Sequence, residues 1–123
     1  ALDDPSQAVM WFTGDGGLMM CLGELCTAVE TQANIVVVVF NDSALSLIDI
    51  KQQSRQFPTR GVRWGKHDFA GTMQSLGGLG FSVHNEEEYA LALQTALNAG
   101  GPCLIDVQID PSGYAHQLKA MRG

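Results

Sequence analysis

Apolar residues along the chain occur in short runs separated by segments with helical spacing. Four runs suit β-strands: residues 8–13 (AVMWFT), 34–41 (NIVVVVFN), 80–84 (GFSVH) and 102–110 (PCLIDVQID). The second run has no polar alternation, which is typical of a parallel strand covered by helices on both faces. Between the first two runs, apolar residues recur at three- and four-residue intervals and predict one helix of about three turns with a stripe at Leu18, Leu22, Leu25 and Val29.

The rest of the chain continues this alternation of helices and strands. We expect a short helix at 46–53 (SLIDIKQQ), a loop at 57–67, and a helix at 68–77 that begins at Asp68. Asn85 is the expected N-cap of a helix whose first turn is glutamate-rich and which Gly100 and Gly101 end. Residues 111–123 suit a last surface helix. The pattern predicts a single α/β domain over residues 1–123, a three-layer α/β/α structure around about four parallel strands.

Composition narrows the class of partner. With 123 residues and 46% hydrophobic content the chain can build one core, and a net charge of −6 argues against binding to nucleic acid or an anionic membrane. The longest apolar run, Ile35–Phe40, is too short to span a bilayer and no signal peptide opens the sequence, so we expect a cytoplasmic protein. The 3 cysteines lack the spacing of a zinc site and are expected to be buried free thiols.

Two carboxylates follow the first two predicted strands. Asp15 lies in TGDGG directly after the first strand, and Asp42 follows Asn41 at the end of the second. Ligands of open parallel sheets bind beyond the carboxyl ends of the strands, where these side chains can converge on one point. Carboxylates with no basic residue between them suit a hard divalent cation, and Gly16 and Gly17 lead into a helix whose N-terminus suits a phosphate. The sequence therefore predicts a magnesium–phosphate site.

Magnesium takes about six oxygen ligands, so two aspartates do not complete the site. A backbone carbonyl from the turn DSAL (42–45), diphosphate oxygens and a water would complete it. The loop GDGGLMM matches neither the P-loop pattern nor the Rossmann glycine pattern, which disfavours a nucleotide triphosphatase or a dehydrogenase.

The loop and the two strands around it resemble a known family motif. The stretch GDGGLMMCLGELCTAVETQANIVVVVFND resembles the magnesium–thiamine diphosphate motif of thiamine diphosphate-dependent enzymes, in the branch that contains acetolactate synthase, pyruvate oxidase and benzoylformate decarboxylase. The segments ELxTA, LIxxKQ and GPCLIDVQID also fall in the family's order, over most of residues 8–110. The resemblance implies the C-terminal, diphosphate-binding domain of such an enzyme.

The resemblance also implies roles for individual residues. The implied magnesium ligands are the carboxylates of Asp15 and Asp42 and the backbone carbonyl of Ala44. The implied cofactor-binding residues are Gly14, Asp15, Gly16, Gly17, Asn41, Asp42, Ser43, Ala44 and Leu45, and no residue of this chain is implied as catalytic. The commoner family pattern NDGGYG is replaced here by NDSALS, which makes the turn bulkier.

Family members are longer, three-domain chains, so the resemblance implies that this chain is a fragment, truncated at the N-terminal side of its domain. The implied partners are a 2-oxo acid substrate, the pyrimidine-binding domain of a partner subunit, and further copies in a homo-oligomer. In such an enzyme the cofactor supplies the decarboxylation and carboligation chemistry. This domain would anchor it, and the isolated fragment is expected to be inactive.

Two alternatives stay open. The chain could instead be a non-catalytic binding or interaction module that keeps the fold, and the turn NDSALS is the feature that separates this reading from the first. The role of a cluster of five basic residues is also open. It suits either a solvated loop or a segment that approaches an anionic substrate, and it consists of Lys51, Arg55, Arg60, Arg63 and Lys66.

Overall fold

The computed structural model describes residue 1 and residues 3–122, which form four strands and six α-helices. The strands are β1 (Val9–Gly14), β2 (Ile35–Asn41), β3 (Leu79–Val83) and β4 (Cys103–Gln108). The helices are α1 (Asp15–Met20), α2 (Glu24–Glu30), α3 (Ser46–Ser54), α4 (Phe69–Leu76), α5 (Glu86–Ala99) and α6 (Tyr114–Arg122), the last preceded by a 3-10 turn at Pro111–Gly113. The last surface helix predicted for residues 111–123 is present as α6, and Gly123 lies outside the described residues.

All four strands are parallel and lie in the order β1-β2-β4-β3. Helices α1 and α4 pack on one face of the sheet and α5 packs on the other, against β3 and β4. The predicted three-layer α/β/α architecture is therefore confirmed. Over the described residues, no helix is long and apolar enough to cross a membrane.

Alternate residues of the central strands feed two separate cores. Val37 and Val39 face α1, α2 and α4, where the largest buried side chains are Leu18, Leu25, Phe69 and Met73. Val36 and Val38 face α5, together with Ile105 of β4. This two-sided burial is the physical reason for the unbroken apolar run of β2, since both faces of the strand are removed from water.

On the α5 side, the carboxyl-terminal part of β1 and β2 is open. Phe12 of β1 and Phe40 of β2 stack with ring centroids 6.4 Å apart, yet they are 54% and 43% exposed. An exposed apolar pair on a sheet face is unusual for a surface that meets only water.

The helix predicted through the leucine stripe is divided in two. The chain leaves helical geometry at Cys21 and re-enters it at Glu24, and Gly23, a poor helix former, lies in the turn between α1 and α2. The predicted stripe still faces the core, because Leu18 and Leu25 are buried and Leu22 and Val29 pack against them. The prediction that the three cysteines are buried holds only for Cys103, since Cys21 is half-buried and Cys26 is exposed.

The predicted helix ends are confirmed. The carboxylate of Asp68 accepts a hydrogen bond from the backbone N–H of Gly71 (2.8 Å), and the Asn85 side chain accepts one from Glu88 N–H (2.9 Å). Gly100 ends α5 in the left-handed conformation, with φ of 68°. Each of these caps satisfies backbone groups that a helix terminus leaves without hydrogen-bond partners.

A buried carboxylate joins β2, β4 and α4. Asp106 of β4 is 1% exposed, and its Oδ1 accepts hydrogen bonds from Asn41 Nδ2 (3.0 Å) and Gln108 Nε2 (2.9 Å). Its Oδ2 accepts one from the backbone N–H of Phe69 at the start of α4 (3.2 Å). Burial raises the pKa of Asp106, with the charge of Asp68 adding to the rise, and the hydrogen bonds from Asn41 and Phe69 oppose it.

Removing this carboxylate should destabilise the fold. Asp106→Ala leaves three donors without an acceptor in or near the core, and we expect the free energy of unfolding to fall by about 2–3 kcal/mol in urea titrations. Asp3→Ala is the matched control, because Asp3 is exposed, and it should change stability by less than about 0.5 kcal/mol. Equal effects of the two substitutions would contradict a structural role for Asp106.

The raised pKa of Asp106 also predicts a pH dependence. The folded state binds the proton more tightly than the unfolded state, where the pKa lies near its ordinary value of 3.8. Because the folded state then carries more protons in the window above 3.8, the unfolding free energy should fall as pH rises through that window. Asp106→Asn should lack this contribution, so the stability of wild type relative to Asp106→Asn should decline with rising pH. A stability difference that stays flat or rises with pH would contradict a raised pKa of Asp106.

Candidate functional site

Parallel pairing of β1 and β2 brings Asp15 and Asp42 to the same edge of the sheet. Gly14, the last residue of β1, pairs with Phe40 of β2. Asp15 therefore begins α1 at the level where β2 ends, and Asp42 follows directly after that strand. The two side chains are close enough for the negative charge of Asp42 to raise the pKa of Asp15. The structure thus brings together the two carboxylates that the sequence singled out.

Asp15 is a buried carboxylate held by neutral donors. It is 3% exposed; its Oδ1 accepts the Gly16 N–H (2.9 Å) and its Oδ2 accepts the Trp64 indole N–H (3.1 Å). Burial is the largest influence and raises the pKa of Asp15, as does the charge of Asp42. Hydrogen bonds from Gly16, Trp64 and the Ser43 backbone oppose the rise without cancelling it. Burial and a neighbouring carboxylate thus both disfavour the charged form of Asp15.

Asp42 is fixed by the turn that follows it. Its Oδ1 accepts a hydrogen bond from the backbone N–H of Ala44 (3.1 Å), and its Oδ2 accepts one from Ser46 Oγ (2.5 Å). The first bond is the local turn that aspartate forms with the amide two residues on. The turn and the first residue of α3 therefore set the orientation of this carboxylate.

Both carboxylates open into one cavity of about 370 Å³. Seven of the predicted cofactor residues line it: Gly14, Asp15, Gly16, Gly17, Asp42, Ala44 and Leu45. The other lining residues are Phe40, Ser46, Leu47, Ile48 and Tyr114, so the described lining contains no lysine or arginine. The cavity is acidic and otherwise mostly apolar.

Two predicted site residues lie elsewhere. Asn41 is 2% exposed, and its Nδ2 donates to Asp106 Oδ1 and to the carbonyl of His67 (3.2 Å), so its side chain joins β2 to β4 and α4 rather than the cavity. Ser43 lines a neighbouring cavity of about 520 Å³, on the other side of Asp42. The backbone of Ser43 is left-handed, with φ of 60°, where side chains other than glycine are strained.

The glycines of the loop differ in the space around them. A Cβ added at Gly14 would meet nothing within 4 Å, whereas one at Gly16 would lie 2.8 Å from Leu45 Cδ2 and one at Gly17 would lie 2.8 Å from Thr13 Oγ1. The helix that they open starts at Asp15 and spans only 6 residues, so it is shorter and begins earlier than predicted. Close backbone approach, more than a long helix dipole, is what this loop offers an anion.

Two aromatic residues of the site were not predicted. Trp64 contacts Asp15 across 49 residues of sequence, and Tyr114 at the start of α6 lines the cavity. Burial raises the pKa of Tyr114, and the charges of Asp42 and Asp15 raise it further. Neither residue lies in a local motif, so only the tertiary structure identifies them. The turn bond of Asp42, by contrast, is a local pattern that the sequence contains.

The basic cluster contains one arginine with a structural partner. Arg63 Nη2 lies 2.6 Å from Asp49 Oδ2, and Arg63 Nε donates to the same oxygen at 2.7 Å. Burial alone would raise the pKa of Asp49, but the hydrogen bonds and charge of Arg63, with hydrogen bonds from Gln53 and Thr59, lower it. Arg63 therefore attaches the loop to α3, which reduces the set available for an anionic substrate to Lys51, Arg55, Arg60 and Lys66.

Comparison with known proteins places this geometry in a family. Residues 1–107 match the family model described as thiamine pyrophosphate enzyme, C-terminal TPP binding domain. The chain is 35% identical over 112 residues to acetolactate synthase of Bacillus subtilis strain 168, covering 91% of this chain and 20% of that protein. It is 38% identical over 117 residues to acetolactate synthase isozyme 1 large subunit of Escherichia coli K12, covering 89% of this chain and 20% of that protein.

Solved structures share the fold. A thiamine diphosphate-dependent 4-hydroxybenzoylformate decarboxylase from Rhodococcus jostii RHA1 matches with a TM-score of 0.81 at 24% identity, over 89% of this chain and 21% of that one. Benzoylformate decarboxylase from Polynucleobacter necessarius matches with a TM-score of 0.78 at 21% identity, over 86% of this chain and 20% of that one. At these identities the likeness supports the fold. The chain spans about one fifth of the length of the relatives that it matches.

The strain at Ser43 predicts a stabilising substitution. Glycine adopts a φ of 60° without the clash that a Cβ causes, so Ser43→Gly should raise the free energy of unfolding by about 0.5–1 kcal/mol, after allowance for the greater freedom of glycine in the unfolded chain. Ser43→Ala keeps the Cβ and should give no gain. Urea titration compares the three proteins, and equal stability of the glycine and alanine variants would show that the turn is not strained.

Proposed function

The chain belongs to the family of C-terminal thiamine pyrophosphate-binding domains, and we propose that it binds the diphosphate of thiamine diphosphate through Mg²⁺. One observation carries the proposal. Asp15 and Asp42 converge on a cavity that a glycine loop also lines, and no lysine or arginine is part of that described lining. A diphosphate could enter such a cavity only with a cation, since the two carboxylates would otherwise repel it.

The donor set fits magnesium. Over the described residues, no three histidine, cysteine, aspartate or glutamate side chains lie close enough to hold a metal, so we propose only two side-chain ligands, the carboxylates of Asp15 and Asp42. Among the hydrogen bonds of the described residues, none ends on the carbonyl of Ala44, which leaves that oxygen available as a third ligand. Mg²⁺ accepts such a partial protein set because it keeps waters and takes substrate phosphate oxygens.

The glycine loop fits the anion. Gly14 has open space around its α-carbon, so a phosphate can approach the backbone there, and Gly16 and Gly17 could not carry side chains without displacing Leu45 or Thr13. Leu45 and the turn from Ser43 would lie beside the same group. Asn41 would act indirectly, by fixing the end of β2 through its hydrogen bond to Asp106.

For the whole protein we propose an acetolactate synthase-like enzyme that decarboxylates 2-oxo acids and ligates the product. The support is the identity to acetolactate synthases, of which this chain covers about one fifth. When bound, the cofactor would supply the chemistry by acting as an electron sink. The residues of this chain would bind and orient its diphosphate, and none would act as a general acid or base.

The partners belong to the same proposal. A pyrimidine-binding domain of a partner subunit would supply the rest of the cofactor site, so the chain of residues 1–123 by itself should be inactive. The exposed Phe12 and Phe40 would be covered by other parts of a homo-oligomeric protein, because burial of about 25 cal/mol per Å² favours removing such a pair from water.

A non-catalytic module that keeps the fold is the second candidate. The observation in its favour is the strained, bulky turn at Ser43 where the commoner family pattern has glycine. A turn that held the Ala44 carbonyl away from the cavity would remove a metal ligand. Against this candidate, Ala44 does line the cavity together with both carboxylates.

Calorimetric titration of the full-length protein tests the proposal. Thiamine diphosphate should bind in the presence of Mg²⁺ and not in excess chelator, and Asp15→Asn should weaken binding by at least about 100-fold, since it removes a charged ligand without changing side-chain size. Asp68→Asn is the matched control, because it makes the same change of charge at a residue that lines neither cavity described above. Asparagine also caps helices, so the N-cap bond of Asp68 should be kept.

The outcomes separate the two candidates. Magnesium-dependent binding that Asp15→Asn abolishes and Asp68→Asn preserves supports the cofactor site. Absence of binding by the full-length wild type, or binding that chelator does not affect, contradicts it and favours the interaction module.

A further inference from the structure

The indole of Trp64, in the loop at 57–67, reaches the proposed metal ligand Asp15. Its indole N–H donates to Asp15 Oδ2 at 3.1 Å. The other carboxylate oxygen accepts the Gly16 N–H, so the two bonds together fix the rotation of the carboxylate plane. Because Asp15 is 3% exposed, water cannot readily replace a lost donor.

The position of Trp64 is itself determined by its neighbours. An isolated antiparallel bridge joins the loop to the turn after Asp42: Leu45 N–H donates to the Val62 carbonyl (2.8 Å), and Trp64 N–H donates to the Ser43 carbonyl (3.1 Å). Val62 is buried, and Arg63 is paired with Asp49 of α3. Three consecutive loop residues are therefore attached to the elements that carry the site.

The indole ring also packs on the glycine loop. A Cβ placed on Gly16 would lie 3.3 Å from Trp64 Cη2, which means that the ring lies directly over that glycine. The ring thus limits the movement of the residue next to Asp15 while its N–H holds the carboxylate. Packing and hydrogen bonding act on the same short segment.

We propose that Trp64 is a positioning residue that holds Asp15 in the orientation required to bind the cation, and that it keeps this contact when the metal is bound. The inference rests on the proposed function. A carboxylate oxygen has two lone pairs, so one N–H bond leaves the other free for a metal. The indole is neutral, so it can orient the carboxylate without competing with the cation by charge, as lysine or arginine would. Outer-shell donors of this kind orient metal ligands in general.

The test compares the chain's two tryptophans in the full-length protein. Trp64→Phe keeps a ring over Gly16 and removes the N–H. Trp11→Phe is the matched control, because Trp11 packs against the core that contains Val37 and Val39 and makes no hydrogen bond to Asp15. Calorimetry should show magnesium-dependent binding of thiamine diphosphate weakened by about 10-fold or more in Trp64→Phe. Trp11→Phe should bind within about threefold of wild type.

A second measurement does not depend on activity. Wild-type protein labelled with 5-fluorotryptophan should give a ¹⁹F resonance for Trp64, assigned by its loss in Trp64→Phe. Its solvent-isotope shift, which reports exposure to water, should stay unchanged or fall when Mg²⁺ and thiamine diphosphate are added. A positioning role requires this retention of the contact.

Two results would overturn the inference while leaving the proposed function intact. The first is Trp64→Phe binding as tightly as wild type, or more tightly, in a protein whose Asp15→Asn variant fails to bind. The second is an increase of the ¹⁹F solvent-isotope shift on addition of metal and cofactor. Such an increase would mean that the indole moves away from Asp15 when they bind. If wild type itself does not bind, the proposed function and this inference both fail.

Discussion

The candidate site depends on the register of β1 against β2, because that register puts two carboxylates at one sheet edge. Gly14 opposite Phe40 makes Asp15 and Asp42 neighbours at the point where both strands end. Burial raises the pKa of Asp15, and the like charge of Asp42 raises it further. The arrangement persists because neutral donors surround it: backbone N–H groups, the Ser46 hydroxyl and the Trp64 indole.

The surroundings of the two carboxylates follow from this constraint. The guanidinium of Arg63 is paired with Asp49 and not with Asp15 or Asp42. The described lining of the cavity that these two carboxylates share contains no basic residue. The carboxylates therefore stay uncompensated by protein cations. In the proposed function an external divalent ion would compensate these charges, and an anion would bind beside the glycine loop together with that ion.

A second buried carboxylate has a different task. The three donors to Asp106 come from β2, β4 and α4, and all of them join those elements to one another. Asn41 belongs to this network, which explains why it lies outside the cavity although its neighbour Asp42 lies within it. β2 ends at Asn41 and Asp42 lies in the turn beyond it, so this two-residue motif divides between structure and site.

The sequence by itself determined the element order, the buried parallel strands and the helix caps, because periodicity and capping are local properties of the chain. It also identified Asp15, Asp42 and the glycine loop, since parallel strands must end at one edge. Only the tertiary structure decided the break between α1 and α2, the burial of Asn41 against Asp106, and the contacts of Trp64 and Tyr114 at the site. Those features depend on contacts between residues far apart in sequence, and no spacing along the chain encodes them.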